Sequence, residues 1–345
     1  MKAVVLREFG PPEVLRIEDL ARPVPGRGEV LVEVRAVSVN RTLDLKVRRG
    51  EYSKRVRLPL VLGADPSGVI AEVGAGVARH VGERVTVSSH IRCGRCASCR
   101  AGEEADCTES ESIGVHRWGG YATYVAVPEQ NAYAIPDALS FADATVVGRT
   151  FPAAINFLAK AELKAGEWVL VMGAAGALGS AGVQVALELG AKVIAAAGTD
   201  ERVASAVAHG ARSGINYRQQ DLAAEVHRIT DGHGADVVFE NISDPLLWPQ
   251  AFASLARHGR LVTGGSHGGG QVMLDVTRLY LDRLRVIGAA GANRRDIERA
   301  LRGAASGAYT AVVDRVLPLR DAAAAHRIVE EGSPLGKVIL DPTLA

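Results

Sequence analysis

Apolar and polar positions alternate in short runs through the first part of the chain, to about residue 150. Glu29-Val30-Leu31-Val32-Glu33-Val34 and Glu83-Arg84-Val85-Thr86-Val87 have the period of two that a half-buried strand needs. Turn clusters such as Arg22-Pro23-Val24-Pro25-Gly26, Val73-Gly74-Ala75-Gly76 and Val81-Gly82 separate such runs, and the pattern predicts a mainly β domain. From about residue 165 the texture changes. Trp168-Val169-Leu170-Val171-Met172 is a continuous apolar run, as expected of a strand covered on both faces. A helical stretch follows it to near Gly190. Val193-Ile194-Ala195-Ala196-Ala197 then precedes a second helix that stops at Gly210. Further strands are expected at 213–217, 236–240, 260–263 and 285–288. Apolar strands alternating with helices predict a doubly wound parallel sheet. Helices near 294–304 and 321–331 and a last strand at 337–340 close the chain.

Charge and composition narrow the class. Lys plus Arg number 40 and Asp plus Glu 39, so no basic footprint favours nucleic acid or an anionic membrane. The uncharged run Trp168 to Leu187 has the length of a membrane span. It contains four glycines, Ser180 and Gln184, and its periodicity changes halfway, so it reads as strand, turn and helix. Met1-Lys2-Ala3-Val4-Val5-Leu6-Arg7-Glu8 places charges where a signal peptide needs apolar residues. The expected location is cytoplasmic. At 345 residues there is room for two domains, each with its own core.

Two motifs carry chemistry. Met172-Gly173-Ala174-Ala175-Gly176-Ala177-Leu178-Gly179-Ser180 follows a predicted strand and opens a helix, the setting a dinucleotide fingerprint requires. Gly176 lets the backbone approach a pyrophosphate, Gly179 lets the helix pack on the strand, and the helix N-terminal amides face the negative charge. The plain alternative is a tight turn in an unrelated α/β protein. At the end of the second strand, Ala197 stands where such folds usually carry an acid for the ribose hydroxyls. Thr199 and Arg202 lie just beyond, and Arg202 suits a 2′-phosphate; the alternative is a solvated first-turn residue.

The second motif is Cys93-x2-Cys96-x2-Cys99-x7-Cys107, which holds every cysteine of the chain. Four thiolates this close can surround one tetrahedral zinc, closed to water and therefore structural. A Cys-x-x-Cys redox pair and an iron–sulfur cluster are the competing readings. Redox chemistry does not need four cysteines in one loop, and the cluster spacings differ.

The cysteine lobe, the β domain around it and the dinucleotide fold after it resemble the zinc-containing medium-chain dehydrogenase/reductase superfamily. Gly63-Ala64-Asp65-Pro66-Ser67-Gly68-Val69, Gly119-Gly120-Tyr121-Ala122-Thr123-Tyr124-Val125 and Gly336-Lys337-Val338-Ile339-Leu340 extend the similarity over essentially the whole chain. The glycine motif, one residue longer than the usual form, looks like that of the quinone oxidoreductase branch. The resemblance implies an α/β protein with a GroES-like β-barrel catalytic domain and a Rossmann doubly wound sheet. The catalytic domain would span 1–150, with the zinc lobe at 93–107, and would take back 291–345; the Rossmann domain would span 151–290. It also implies a small-molecule substrate in the cleft between domains, and a homo-oligomer, dimer or tetramer, paired through the strand near 285–288.

The chain departs from the alcohol dehydrogenases of that superfamily at the second, catalytic zinc. The matching positions are Asn40, Ala64-Asp65 and Gly148. Asn40 is a poor zinc ligand, and Ala64 and Gly148 are none. Without the metal, alcohol oxidation loses the group that lowers the hydroxyl's pKa. Val39-Asn40-Arg41-Thr42-Leu43-Asp44 and Arg49-Gly50-Glu51-Tyr52 instead resemble the zinc-free quinone and enoyl reductases. In those, the asparagine lines the nicotinamide pocket and the tyrosine is a proposed proton donor. Asn40, Thr42 and Tyr52 are thus the implied catalytic residues, against the plain reading of a turn asparagine and a loop aromatic. A threonine expected near the nicotinamide falls at Pro152, with Thr150 as a neighbour. Implied cofactor contacts are Ala175, Gly176, Ala177, Leu178, Thr199, Arg202, Tyr217 and Ser266. Ser88, Ser89 and His90, where relatives line their substrate pockets, suggest a small or polar one. The expected protein is an NADP(H)-preferring reductase, NAD(H) being the other cofactor, with one structural zinc and an activated C=C or quinone as acceptor. The rival readings are a zinc-type alcohol dehydrogenase or carbonyl reductase, and a cofactor-binding protein with little activity.

Overall fold

The valine-rich strand Glu29–Ser38 organises the first half of the protein, because its length lets three other strands bond to it. Pro66–Val73 pairs along it antiparallel, Tyr124–Pro128 pairs its first five residues, and the last strand, Lys337–Asp341, pairs its end through Ile339↔Ser38 and Leu340↔Val37. The sheet continues through Arg84–Val87 and Ala132–Ala134 on one side and Val313–Pro318 on the other. A second, three-stranded antiparallel sheet joins Leu15–Asp19, Lys2–Leu6 and Leu60–Val61. Alternate residues of these strands, including Val4, Leu6, Val30, Val32, Val34, Ile70, Val85 and Val338, bury a common core. In this computed structural model, which describes residues 1–332 and 334–344, the chain divides into two units. The first is Met1–Arg149 with Asn293–Ala345, and the second is Thr150–Ala292.

The cysteine lobe projects from the first unit between the short paired strands His90–Ile91 and Glu111–Ser112. It contains the helical turn Ala97–Arg100 and the 3₁₀ turn Glu104–Asp106. The start of the helix Arg294–Ala305 grips it. Asn293, whose side chain belongs to that helix's capping box, accepts the Ala105 N–H at 2.8 Å and donates to Glu103 at 3.1 Å. Arg295 pairs with Glu103 at 2.5 Å.

The second unit is a six-stranded sheet, every pairing of which is parallel. In chain order its strands are β1 (Trp168–Met172), β2 (Lys192–Ala197), β3 (Ser213–Asn216), β4 (Ala235–Glu240), β5 (Leu255–Thr263) and β6 (Arg285–Gly288). Their spatial order is β3-β2-β1-β4-β5-β6. The order reverses beside β1, the switch point at which such sheets bind ligands. The membrane-length run at 168–187 divides into β1 and the helix Ala177–Glu188, and among the described residues no helix is long and apolar enough to cross a membrane. Two features differ from the sequence expectation. β5 starts five residues early, passing His258 at φ 65°. Phe141–Lys160 is a single helix running through Gly148 and over Pro152. The proline removes one helical hydrogen bond, but Val146, Val147, Phe151, Ala154, Ile155 and Leu158 are all buried, and that burial outweighs the local cost.

Candidate active site and metal-binding lobe

The four cysteines converge as the spacing requires. Their sulfurs all lie within 4.8 Å of one another, and Cys93 and Cys99 are 4.0 Å apart. A tetrahedral zinc with bonds of about 2.3 Å needs sulfurs about 3.8 Å apart, so the cage fits the ion closely. Backbone N–H groups of Cys93, Cys96 and Cys99 donate to the sulfurs of Cys107, Cys93 and Cys96, each at 3.4 Å. These bonds hold the ligands in place. Among the described residues this is the only group of three or more side chains placed to hold a metal ion.

The glycine-rich turn lies between β1 and the helix Ala177–Glu188. Gly173 adopts φ 59°. A Cβ on Gly179 would sit 2.2 Å from the Gly173 carbonyl oxygen, so only glycine lets this helix start so close to the strand. Gly176 is the N-cap, and no side chain caps the amides of the first turn. Ala175 is buried, with Gly176, Ala177 and Leu178 half-buried beside it. Asn241, at the end of β4, donates to the Met172 carbonyl at 2.7 Å and fixes the entry to the turn. Glu240 beside it accepts the N–H groups of Ile242 and Ser243, both at 2.7 Å, and the Thr263 hydroxyl at 2.8 Å. This support ties the ends of β4 and β5 together, just before the loop that carries half-buried Ser266.

At the tip of β2, the Thr199 hydroxyl caps the next helix by accepting the Arg202 N–H at 3.3 Å. Tyr217 stands next to Gly198: a Cβ there would lie 3.1 Å from the Tyr217 hydroxyl and 3.2 Å from Nε of Arg218. Burial raises the Tyr217 pKa, against the nearby positive charges of Arg202 and Arg218. Arg218, which the sequence reading passed over, is therefore a second guanidinium at this corner. Asp200 is occupied elsewhere, accepting from Asn216 at 2.7 Å.

In the first unit, Asn40 sits inside a buried polar cluster. Its Nδ2 donates to Asp44 at 3.2 Å and to Asp65 at 3.3 Å, its backbone N–H donates to Asp44 at 2.8 Å, and its Oδ1 accepts from the Lys337 ammonium. Ser38 donates to Asp65 at 2.6 Å. Both amide hydrogens and the amide oxygen of Asn40 are thus engaged by charged neighbours. Burial pushes the Asp44 carboxyl up to about 6, with the Asp65 charge adding to the effect. Burial lowers the Lys337 pKa, Asp65 raises it, Arg149 lowers it again and Asp44 raises it. The cluster extends through Tyr121, whose hydroxyl is 3.4 Å from Asp44 and 3.1 Å from Nε2 of His326. Burial, reinforced by Arg48, holds His326 neutral at about 3.

The other implied residues are less engaged. Tyr52 is half-buried against the core of the first unit, in the turn before Ser53–Arg55. Thr42 is exposed in the turn before the helix Asp44–Arg48. Thr150 is buried on the helix Phe141–Lys160, and Pro152 lies within that helix. Gly148 faces Thr86: a Cβ there would lie 2.7 Å from the threonine oxygen, leaving no room for a metal-binding side chain. Lys337, which joins this cluster through Asn40, was not singled out by the sequence reading. The only signal was the closing Gly336-Lys337-Val338 motif, which names the lysine without its partners.

The cage geometry predicts about one zinc per subunit by elemental analysis, bound by Cys93, Cys96, Cys99 and Cys107. Cys99→Ser should lower the zinc content and loosen residues 93–107 in hydrogen exchange. A stoichiometry near two would show a second ligand set that this geometry does not contain.

Comparison with known proteins agrees with this architecture. Residues 26–137 match the alcohol dehydrogenase GroES-like domain and residues 177–306 the zinc-binding dehydrogenase family. The chain is 31% identical to an NAD-dependent alcohol dehydrogenase of Sulfolobus acidocaldarius, covering 99% of this chain and 100% of that protein. It is 30% identical to the quinone oxidoreductase of Homo sapiens, covering 99% and 97%. A crystal structure of an NAD-dependent alcohol dehydrogenase superposes with a TM-score of 0.94 at 38% identity, covering 99% of each chain. With both domains matched and relatives similar over their full length, the chain belongs to the zinc-containing medium-chain dehydrogenase/reductase superfamily and is an oxidoreductase of that family.

Proposed function

We propose that this oxidoreductase is an NADPH-dependent reductase that works without a catalytic zinc and delivers hydride to an electron-poor carbon, an activated C=C or a quinone. The observation that carries the reading is the buried ammonium of Lys337, held by Asn40 and facing Asp44 and Asp65 where alcohol dehydrogenases would place their metal ligands. The nicotinamide would supply the hydride. The chain's own part is binding, orientation and proton supply. The uncapped first turn after Gly176 suits the pyrophosphate. Arg202 and Arg218 suit a 2′-phosphate, with Gly198 leaving room beside Tyr217. Hydride arriving at a β carbon builds negative charge on the conjugated carbonyl oxygen, which Lys337, positioned by Asn40, would offset. The α carbon then takes a proton, and the hydroxyl of Tyr52 is the proposed donor. Thr42 is retained as a polar contact in the same segment.

Several relatives are NAD-dependent alcohol dehydrogenases, which favours NAD-dependent alcohol oxidation as the second reading. Assays of the purified protein with NADPH and NADH against enones, quinones and alcohols separate the two. Arg202→Ala should raise the KM for NADPH and leave NADH nearly unchanged. Equal effects on both, or a native preference for NADH, would remove the 2′-phosphate assignment.

Tyr52→Phe should lower kcat on the best enone by roughly 10²-fold or more, the usual scale of general-acid help, with NADPH affinity retained. An unchanged kcat returns Tyr52 to a packing role. On quinones the loss should be small, because water can protonate the reduced oxygen.

Self-association is also part of this reading. β6 is a sheet edge with Val286 40% exposed, and no residue of the adjacent helix Val276–Leu281 is buried, leaving Tyr280 and Leu281 65% and 58% exposed. A contiguous apolar edge of this kind suits a second copy of the chain. Light scattering should show an oligomer that Val286→Lys with Leu281→Lys converts towards monomer; an unchanged mass would place the interface elsewhere.

A further inference from the structure

Arg149 ends the first unit, directly after Gly148, on the helix Phe141–Lys160. Its guanidinium is half-buried, and Nη1 donates to the Ser89 hydroxyl at 2.9 Å. A guanidinium has five donors, yet among the described residues this is its only hydrogen-bond partner, and no carboxylate pairs with it. Its other neighbours are unfavourable. Arg149 lies close enough to Lys337 to lower that ammonium's pKa, and with Arg92 it reinforces the burial that pushes His90 down to about 4. Arg92 reaches the Tyr133 hydroxyl at 3.4 Å, and the buried Nε2 of His90 has no partner. The two buried carboxyls, Asp44 and Asp65, bond on the Asn40 side of Lys337, and neither pairs with Arg149.

Half-buried, and with most of its donors engaged by no protein group among the described residues, this guanidinium is open to an anion. The planar fork of arginine matches a carboxylate in two parallel hydrogen bonds. Of the anions such an enzyme meets, the cofactor's phosphates already have suitable groups of their own, in the turn after Gly176 and at Arg202 with Arg218. The substrate has none.

We propose that the substrate carries a carboxylate and that Arg149, steadied by Ser89, binds it. The proposal rests on the reductase reading above and narrows its substrate class to unsaturated or quinonoid acids. Neutral His90 offers a further hydrogen-bonding nitrogen, and the charge of Lys337 remains available for the substrate's carbonyl oxygen.

The test uses an acid and its methyl ester that share one activated double bond, 3-benzoylacrylic acid and methyl 3-benzoylacrylate. In the wild-type protein with NADPH, kcat/KM for the acid should exceed that for the ester by tenfold or more. Arg149→Gln should cut this preference by roughly ten- to a hundredfold through the KM for the acid, the range expected for a charged hydrogen bond. Arg149→Lys should restore part of it. Calorimetry with 3-benzoylpropionate, the saturated acid, in the presence of NADP⁺ reads binding without turnover and should show the same weakening. Acid binding lost in Arg149→Gln, with neither compound turned over, would support the anion site and overturn the reductase reading. Turnover with no acid preference, or equal losses for acid and ester, would overturn the anion site. A rise in the KM for NADPH alone would assign Arg149 to a cofactor phosphate and also overturn it. Should Arg149→Gln fail to fold, Ser89→Ala supplies the test: it should lower the acid preference severalfold, and an unchanged preference counts against the proposal.

Discussion

Two carboxyl groups, Asp44 and Asp65, lie buried side by side in the first unit, and the surrounding structure is arranged to make that tolerable. Water cannot screen them, and burial together with the Asp65 charge raises the cost of ionising Asp44. Asn40 places one amide hydrogen on each, Ser38 adds a hydroxyl, and Lys337 brings the compensating positive charge. Removing one member of a buried charged set typically costs about 3–5 kcal/mol, because the remaining charges are left uncompensated. The final strand is therefore an electrostatic necessity as well as a sheet partner. If Lys337–Asp341 did not pair with Glu29–Ser38, the acids would have no counter-charge.

The same cluster explains why a residue chemically unsuited to zinc stands at position 40. An amide can donate to carboxylates and accept from an ammonium at once, whereas a thiolate would add a third negative charge. Gly148 agrees with this arrangement, since Thr86 occupies the space a larger side chain would need. The site is thus built around an ammonium, a fixed charge supplied by the chain itself. One residue beyond Gly148, the guanidinium of Arg149 adds a second positive charge, which no carboxylate among the described residues pairs with directly.

The cysteine lobe and the glycine turn answer to more local rules. The lobe closes within residues 93–107 through backbone N–H to sulfur bonds, and Asn293, Arg294 and Arg295 grip it from outside. The turn depends on Gly173 and Gly179 for its shape, but on Glu240 and Asn241, far along the chain, for its support. Neighbouring strands of a parallel sheet supply that support at their C-terminal ends, so a motif written in nine residues is stabilised by two other crossovers.

Much of this was legible from residue order alone. Hydrophobic period distinguished the strands of both units, and β1 and β6 fall where the pattern placed them. Cysteine spacing predicted a cage that can close because all its ligands are near neighbours in the chain. The helix Phe141–Lys160 was not anticipated; Gly148 and Pro152 both disfavour a helix, and burial of its apolar face overrides them. Nor were the partners of Asn40. Lys337 lies 297 positions away, and its approach depends on the pairing of Ile339 with Ser38 and Leu340 with Val37. A slip of one residue in that register would turn Lys337 to the opposite face of the sheet. The sequence by itself determined the cysteine cluster, the dinucleotide turn and where most strands lie along the chain, because neighbours in the chain specify each of them. Only the tertiary structure decided that an ammonium faces Asp44 and Asp65 and that, among the described residues, no carboxylate pairs with Arg149, because charge balance in a buried site is a property of which distant strands meet.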